Sequence, residues 1–407
     1  MKKKKIVLFV FLLIGVLSLI LTYKFKQNNL SKNKTVKEEK LSIMIKEDGA
    51  TDYTKSNSKD IPKGNYTLNT EKSYCKNNGK IEGYDSATGT VSFSFIGSDR
   101  CFLYFDYISD ISFETLMTPN NTDIFNENGL RYEGKDPNNY ICLDNKKGGT
   151  CADNTLLFRI IGLFDEDTSI DGTSSSGTKK LLKIIDTNNY GGDDGTNGKK
   201  WNSTSYKNNW GISSLKTELN GTYLDALLST SNVNSKLSSA IAIAKWHLGG
   251  PSADNYSILT AEGFYTEERN TSAIYSGNPS SIYAKAGLIY PSDYGYATVG
   301  GSTKSKSGCR TETLYDWEGS LYSDCKNNDW LFTSQSSFVY SGEWLLSPYS
   351  SDSIYAAVLN DDGGVDYNHD GVDNDIAAVR PTFYLDSSIL KIVGTGDGTT
   401  TNAYRIG

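Results

Sequence analysis

Several kinds of chemistry are scarce in this chain. It has only two histidines, His247 and His369, and no C-x-x-C spacing, so a zinc site built from Cys and His is not expected. No Gly-x-Ser-x-Gly elbow supplies a nucleophilic serine. Only seven of the 41 basic residues are Arg, and beyond the N-terminus the basic residues are dispersed. With a net charge of −7, that distribution argues against a nucleic-acid partner. Proline is rare too, at 8 residues, while 37% of the chain is hydrophobic and 12% aromatic, enough to build cores rather than a disordered polymer.

What is present is concentrated at the start. Lys2 to Lys5 are followed by an uninterrupted apolar run from Ile6 to Tyr23. As a helix those residues would extend roughly 27 Å, close to the hydrocarbon thickness of a bilayer. The lysine cluster favours the cytoplasmic side, so the sequence predicts a signal-anchor over 1–23, with membrane contact through 6–23 and everything beyond it outside. Leu21-Thr22-Tyr23-Lys24 is a poor peptidase substrate, and no Cys follows to carry a lipid. Residues 24–42 are polar and lysine-rich and read as a stalk.

All six cysteines lie beyond the apolar run, an even set in a predicted exported region, which reads as disulfides. Six cysteines allow 15 pairings, of which sequence order suggests Cys75–Cys101, Cys142–Cys151 and Cys309–Cys325.

The length suggests about two domains after the anchor. Residues 43–110 alternate in short runs such as Thr90-Val91-Ser92-Phe93-Ser94-Phe95 and predict a small disulfide-stapled β module. After a polar joint at Thr118-Pro119-Asn120-Asn121, residues 120–407 predict a larger unit. Leu156–Phe164 and Lys180–Ile185 read as arms of a β-hairpin with a long Gly/Ser/Asp-rich loop. Helices are expected over Ser213–Leu228, broken at Asn220-Gly221, over Asn234–His247, and over Glu262–Arg269. After residue 286 the chain returns to strand and irregular patterns, ending in a meander through Glu343–Ser347, Tyr355–Leu359, Ala377–Arg380 and Pro381–Leu385. Strands, helices, then strands again define an α+β class.

Four segments carry a resemblance: Leu156-Leu157-Phe158-Arg159-Ile160-Ile161-Gly162, the run Tyr290 to Ala297, Trp344-Leu345-Leu346-Ser347-Pro348, and Val379-Arg380-Pro381-Thr382-Phe383-Tyr384-Leu385. Over roughly 125–407 the chain resembles a family of uncharacterised surface domains from low-GC Gram-positive gut bacteria, distantly similar to C-type-lectin-like domains and to the fold of formylglycine-generating enzyme. The resemblance implies a C-type-lectin-like α+β domain with antiparallel strands, and no activity. Nothing here matches the copper-binding cysteines of that enzyme. The Glu-Pro-Asn or Gln-Pro-Asp and Trp-Asn-Asp of calcium-dependent lectins are also absent, so no cofactor is expected.

Other motifs have bland readings beside the sharp ones. Asp366, Asn368 and Asp370, with Gly371 next, match the opening of a calcium loop, but Ala377 stands where a bidentate Glu belongs. A hairpin turn is the expectation and calcium the alternative. The glycine-rich stretch Gly192–Lys200 fails the phosphate-loop pattern. His247 is expected as a helix C-cap rather than a base. The adjacent pairs Glu267-Glu268 and Asp361-Asp362 read as solvated. Trp344 is expected in the core, and Arg380 is expected to reach a buried carboxylate or carbonyls. Tyr294, Tyr296, Trp317 and Trp330 are the candidates for exposed stacking faces. The functional expectation is a non-enzymatic module binding a glycan or protein at the cell surface. A structural envelope role and an exported glycan-active enzyme are the alternatives.

Overall fold

The computed structural model describes residues 41–407, except 48–49, 64, 87, 95–98, 119–121, 192–197, 335–341, 368–370 and 374–376. The expected anchor at 6–23 therefore lies outside the described residues, as do Asn368 and Asp370 of the acidic turn. Among the described residues, no helix is long and apolar enough to cross a membrane. Contacts divide the chain at Tyr107/Ile108 into two units.

Among its described residues, the regular structure of the first unit is strand: β1 (Ser42–Lys46), β2 (Thr54–Lys55), β3 (Tyr66–Leu68), β4 (Tyr74–Cys75), β5 (Lys80–Asp85), β6 (Thr90–Ser94) and β7 (Cys101–Tyr107). β7 is the spine, pairing parallel with β1 and antiparallel with β3 and β4. Its residues alternate, so Cys101, Leu103 and Phe105 point inward to meet Ile43 and Leu68. Cys75 and Cys101 are directly opposite in the β4–β7 pair and form a disulfide.

The second unit is mixed α+β, mostly strand. Its strands are β8 (Ile124–Asn126), β9 (Leu130–Tyr132), β10 (Tyr140–Cys142), β11 (Leu157–Ser169), β12 (Gly177–Asp186), β13 (Ile243–His247), β14 (Ser281–Ala284), β15 (Ala286–Gly287), β16 (Gly342–Pro348), β17 (Ala356–Asn360), β18 (Val365–Asp366), β19 (Thr382–Asp386), β20 (Ile392–Val393) and β21 (Tyr404–Ile406). β11 and β12 form the expected hairpin, with arms longer than the hydrophobic runs alone indicate. The polar ends Asp165–Ser169 and Gly177–Lys180 stay in the ladder because backbone pairing does not depend on side-chain polarity. The main sheet runs β15-β19-β12-β11-β10-β21-β20. Disulfides join Cys142 to Cys151 and Cys309 to Cys325, and no described cysteine is free.

Four secondary-structure expectations are corrected. The helix expected over Asn234–His247 is only Leu237–Ala240, followed by strand β13. Ala244 and Trp246 are buried between half-exposed neighbours, so the operative period is two, and β14 supplies the partner ladder. The helix over Ser213–Leu228 does not break at Asn220-Gly221; a π-helical turn, Leu219–Tyr223, bridges Ser214–Glu218 to Leu224–Ser229. Asn220 holds that turn against β15: its amide donates to Ala286 O, and its carbonyl accepts from Lys285 N and Ala286 N. The closing meander stops at β16-β17-β18; Ala377 and Ala378 make only isolated bridges, and β19 crosses to the main sheet beside β12. Short helices such as Pro291–Tyr296 and Trp330–Thr333 also occupy ground expected to be strand or irregular.

Candidate functional site: a polar cavity backed by buried charge

The site begins with a gap in a ladder. One edge of β11 is covered along its length by β12. The other edge pairs successively with β10 at Leu157–Arg159, β9 at Gly162 and Leu163, and β13 at Thr168 and Ser169. Between β9 and β13, no strand pairs with residues 164–167 on that edge among the described residues. The helix Ala261–Arg269, capped by the Thr260 hydroxyl on Gly263 N, brings Tyr265 and Arg269 to this region.

A cavity of about 390 Å³ lies here, lined among others by Asn126, Asn128, Phe164, Glu166, Lys180 and Tyr265. Its rim is the β8–β9 hairpin tip, where Asn128 and Gly129 take positive φ. Gly129 is required twice over: its φ is 117°, and a Cβ would stand 2.5 Å from the Phe164 ring. The Asn128 amide donates to Tyr296 Oη at 3.1 Å, which fixes the tip. Asp165 is paired with Lys180 at 3.0 Å, and Glu166 is the buried carboxylate at the cavity wall.

Behind Glu166 stands a cluster of buried ions. Its carboxylate lies 3.7 Å from Arg269 Nη2 and 3.8 Å from His247 Nε2. Arg269 also contacts Glu268, whose oxygens accept from Ser292 N and Ser292 Oγ. Deeper still, Asp293 receives Arg131 at 2.7 Å and Lys183 at 2.5 Å, with all three side chains at most 3% exposed. Tyr290, Trp246 and Tyr384 surround the Lys183 ammonium.

Burial raises the Glu166 carboxyl above its ordinary value, and Arg269 and Lys183 offset part of the rise. Burial likewise raises Glu268, against the pull of Arg269 and the Ser292 hydrogen bonds. Burial also acts on Asp293, but the two cations overcome it and hold its carboxyl well below the usual range. His247 is pushed down to about 3 by burial and by Arg269, Lys245 and Lys183, so it is neutral at ordinary pH. The wall of the cavity thus combines amides, a shielded carboxyl, the Asp165–Lys180 pair and an aromatic ring.

The placement of the sequence-derived candidates is mixed. Trp344 is in the core, and Arg380 makes a double bond-pair to Glu343 at 2.9 Å while donating to Leu331 O. The four expected stacking faces are corrected: Tyr294, Tyr296, Trp317 and Trp330 are all fully buried. Their polar ends have found partners, Tyr294 Oη donating to Gly363 O and Trp330 Nε1 to Tyr132 O, so the tertiary fold absorbs them without a buried polar debt. His247 is not a helix cap but the last residue of β13. Glu267 is half-exposed while Glu268 is buried, so that pair does not read as solvated and does not face one cleft; Asp361 and Asp362 are exposed in a turn. Sequence reading missed Glu166 and Tyr265; for Glu166 the available signal was the acidic run Asp165-Glu166-Asp167 directly after the apolar Ile160–Phe164.

A second cavity of about 310 Å³ is lined by Asp186, Asn188, Tyr190 and Tyr223, among others. Burial pushes the Asp186 carboxyl up to about 6, although Asn188 N and the Tyr223 hydroxyl donate to it. A carboxyl raised in the folded state adds stability that is complete below about pH 4 and is lost as pH climbs through about 6. The shift is about two units, so the loss is on the order of 3 kcal/mol. Denaturant titrations at pH 4 and pH 7 should therefore show the wild type losing about that much relative to Asp186→Asn; parallel curves would remove the assignment.

The only described grouping of three metal-type donors is Cys142, Asp144 and Cys151, and two of its members are joined in a disulfide. The chain was compared with family models, with curated proteins and with solved structures, and nothing matches it. Fold and site therefore define the protein as a disulfide-bonded, mainly β, α+β protein.

Proposed function

We propose that the chain is a surface recognition module whose second unit binds a glycan in the cavity beside Glu166 and Tyr265. The observation that carries this reading is the cavity lining itself. Asn126, Asn128 and Glu166 offer donors and acceptors matched to sugar hydroxyls, and Tyr265 offers a ring next to them. The groups are fixed by the β-strands and by the buried ion cluster behind them, so ligand binding orders little. A C-type-lectin-like fold for this unit and an N-terminal membrane anchor at 6–23 belong to the same proposal. The three disulfides are in keeping with an oxidising location.

The glycan-hydrolase alternative draws no support here. Glu166 and Glu268 share Arg269, but Glu268 is wholly enclosed, so the two carboxylates do not flank an open cleft. A glycan array probed with soluble residues 41–407 tests the proposal. Tyr265→Ala and Glu166→Gln should each weaken the best binding signal at least about tenfold, the equivalent of one good contact. Binding unchanged in both variants, or no glycan retained by the wild type, would overturn it.

A further inference from the structure

Cys142 ends β10, and Cys151 follows the turn containing Gly148 and Gly149. Their disulfide spans 9 residues, against 16 and 26 for the other two. In the chain-entropy picture it restrains the unfolded chain least, so its reduction is the least costly of the three to the fold. Beside it stands Asp144, 2% exposed. One oxygen, Oδ1, accepts from Arg405 Nε at 2.7 Å and from Lys146 N at 3.0 Å. The other, Oδ2, is buried and accepts no hydrogen bond among the described residues. Such an orphaned carboxylate oxygen is costly to keep unless something occupies it in another state of the molecule. Both Sγ atoms and an Asp144 carboxylate oxygen lie within 4.8 Å of one another.

We propose that reduction of Cys142–Cys151 creates a binding site for a zinc-class divalent cation, with Cys142 Sγ, Cys151 Sγ and Asp144 Oδ2 as ligands and water in the fourth position. The step needs a two-electron reductant and the cation, and nothing else. A dithiol reductant gives two electrons and two protons to the sulfurs, becoming a disulfide itself, and leaves two thiols. The cation then displaces both thiol protons, and two thiolates and a carboxylate supply three of four tetrahedral positions. Arg405 and Lys146 N hold Oδ1, so the carboxylate is already oriented for single-oxygen coordination. Two thiolates, one carboxylate, a dication and the Arg405 guanidinium sum to zero charge, so the filled site leaves no net buried charge. In the oxidised protein the sulfurs are spent on each other, and the site is closed.

The test uses the full chain. It is reduced with a phosphine, incubated with or without zinc chloride, and pulsed with iodoacetamide, and alkylation is then read cysteine by cysteine by peptide mass spectrometry. Zinc should slow alkylation of Cys142 and Cys151 at least about tenfold while leaving Cys75, Cys101, Cys309 and Cys325 unaffected. Asp144→Asn should remove most of that protection. Because this variant also unpairs Arg405, Cys142→Ser serves as a second one: it keeps the Asp144–Arg405 pair, and zinc should then fail to protect Cys151. Protection spread over all six cysteines, protection absent, or protection intact in either variant would overturn the proposal. So would loss of folded structure on reduction, since the site requires β10 in place.

Discussion

Replacing Asp293 by alanine is expected to cost at least about 3–5 kcal/mol, the range for breaking a buried ion pair by removing one partner. The reason is the two cations it leaves behind. Arg131 and Lys183 are each about 3% exposed or less, and both place a nitrogen on Asp293. Without the carboxylate, neither charge can reach water without dismantling β9 or β12. A loss of that size is a large share of the about 5–15 kcal/mol that holds a whole domain together. The pH dependence gives a sharper signature. An unpaired buried ammonium favours its neutral form, so the unfolded state of the variant binds more protons and stability rises with pH. Urea melts should therefore show Asp293→Ala recovering part of its deficit between pH 7 and pH 10, gaining more than the wild type, in which burial already lowers the Lys183 ammonium against the pull of Asp293. An Asp293→Ala protein as stable as the wild type at pH 7 would mean that the cluster is solvated and not the support for the cavity wall described above.

Removing the disulfide of the first unit, with Cys75→Ala and Cys101→Ala together, is expected to unfold that unit while the second still melts cooperatively. Closing a loop of 26 residues is worth about 3–4 kcal/mol in the chain-entropy model. Among the described residues, the fully buried apolar core it supports is Ile43, Leu68, Leu103 and Phe105, together with Cys101 itself, flanked by partly buried residues such as Ile45 and Phe93. Units of this size bury about 60% of their unfolded surface and have little margin. Limited proteolysis should cut within 41–107 of the double variant and spare 108–407. A first unit that stays protease-resistant would show that β-sheet pairing around β7 suffices without the covalent link.

How much of this was legible in advance depends on the distance over which the cause acts. The β11–β12 hairpin was visible because two apolar runs bracket a turn-rich loop, a pattern held within one stretch of chain. The Arg380 role was visible because an arginine between Val379 and Pro381 in an apolar segment has to find a buried carboxylate or carbonyls. The cysteines were ordered in the chain as they are bonded, since each link closes a local loop. Where period two and period 3.6 competed, as over Ile241–His247, local pattern favoured a helix, and only the ladder offered by β14 decided for strand.

The chain alone determined the α+β composition, the cysteine set and the apolar content that makes two cores, because these follow from residue types and short-range periodicity. Only the tertiary structure decided which tyrosines and tryptophans would be buried, since their hydroxyl and indole groups find carbonyls in strands and loops far away in sequence. It alone assembled Arg131, Glu166, Lys183, Arg269 and Asp293, which come from β9, β11, β12 and two separate helices. And it alone opened the gap on β11 at residues 164–167. A cavity is a place where neighbours fail to meet, and no run of residues encodes that without the elements that surround it.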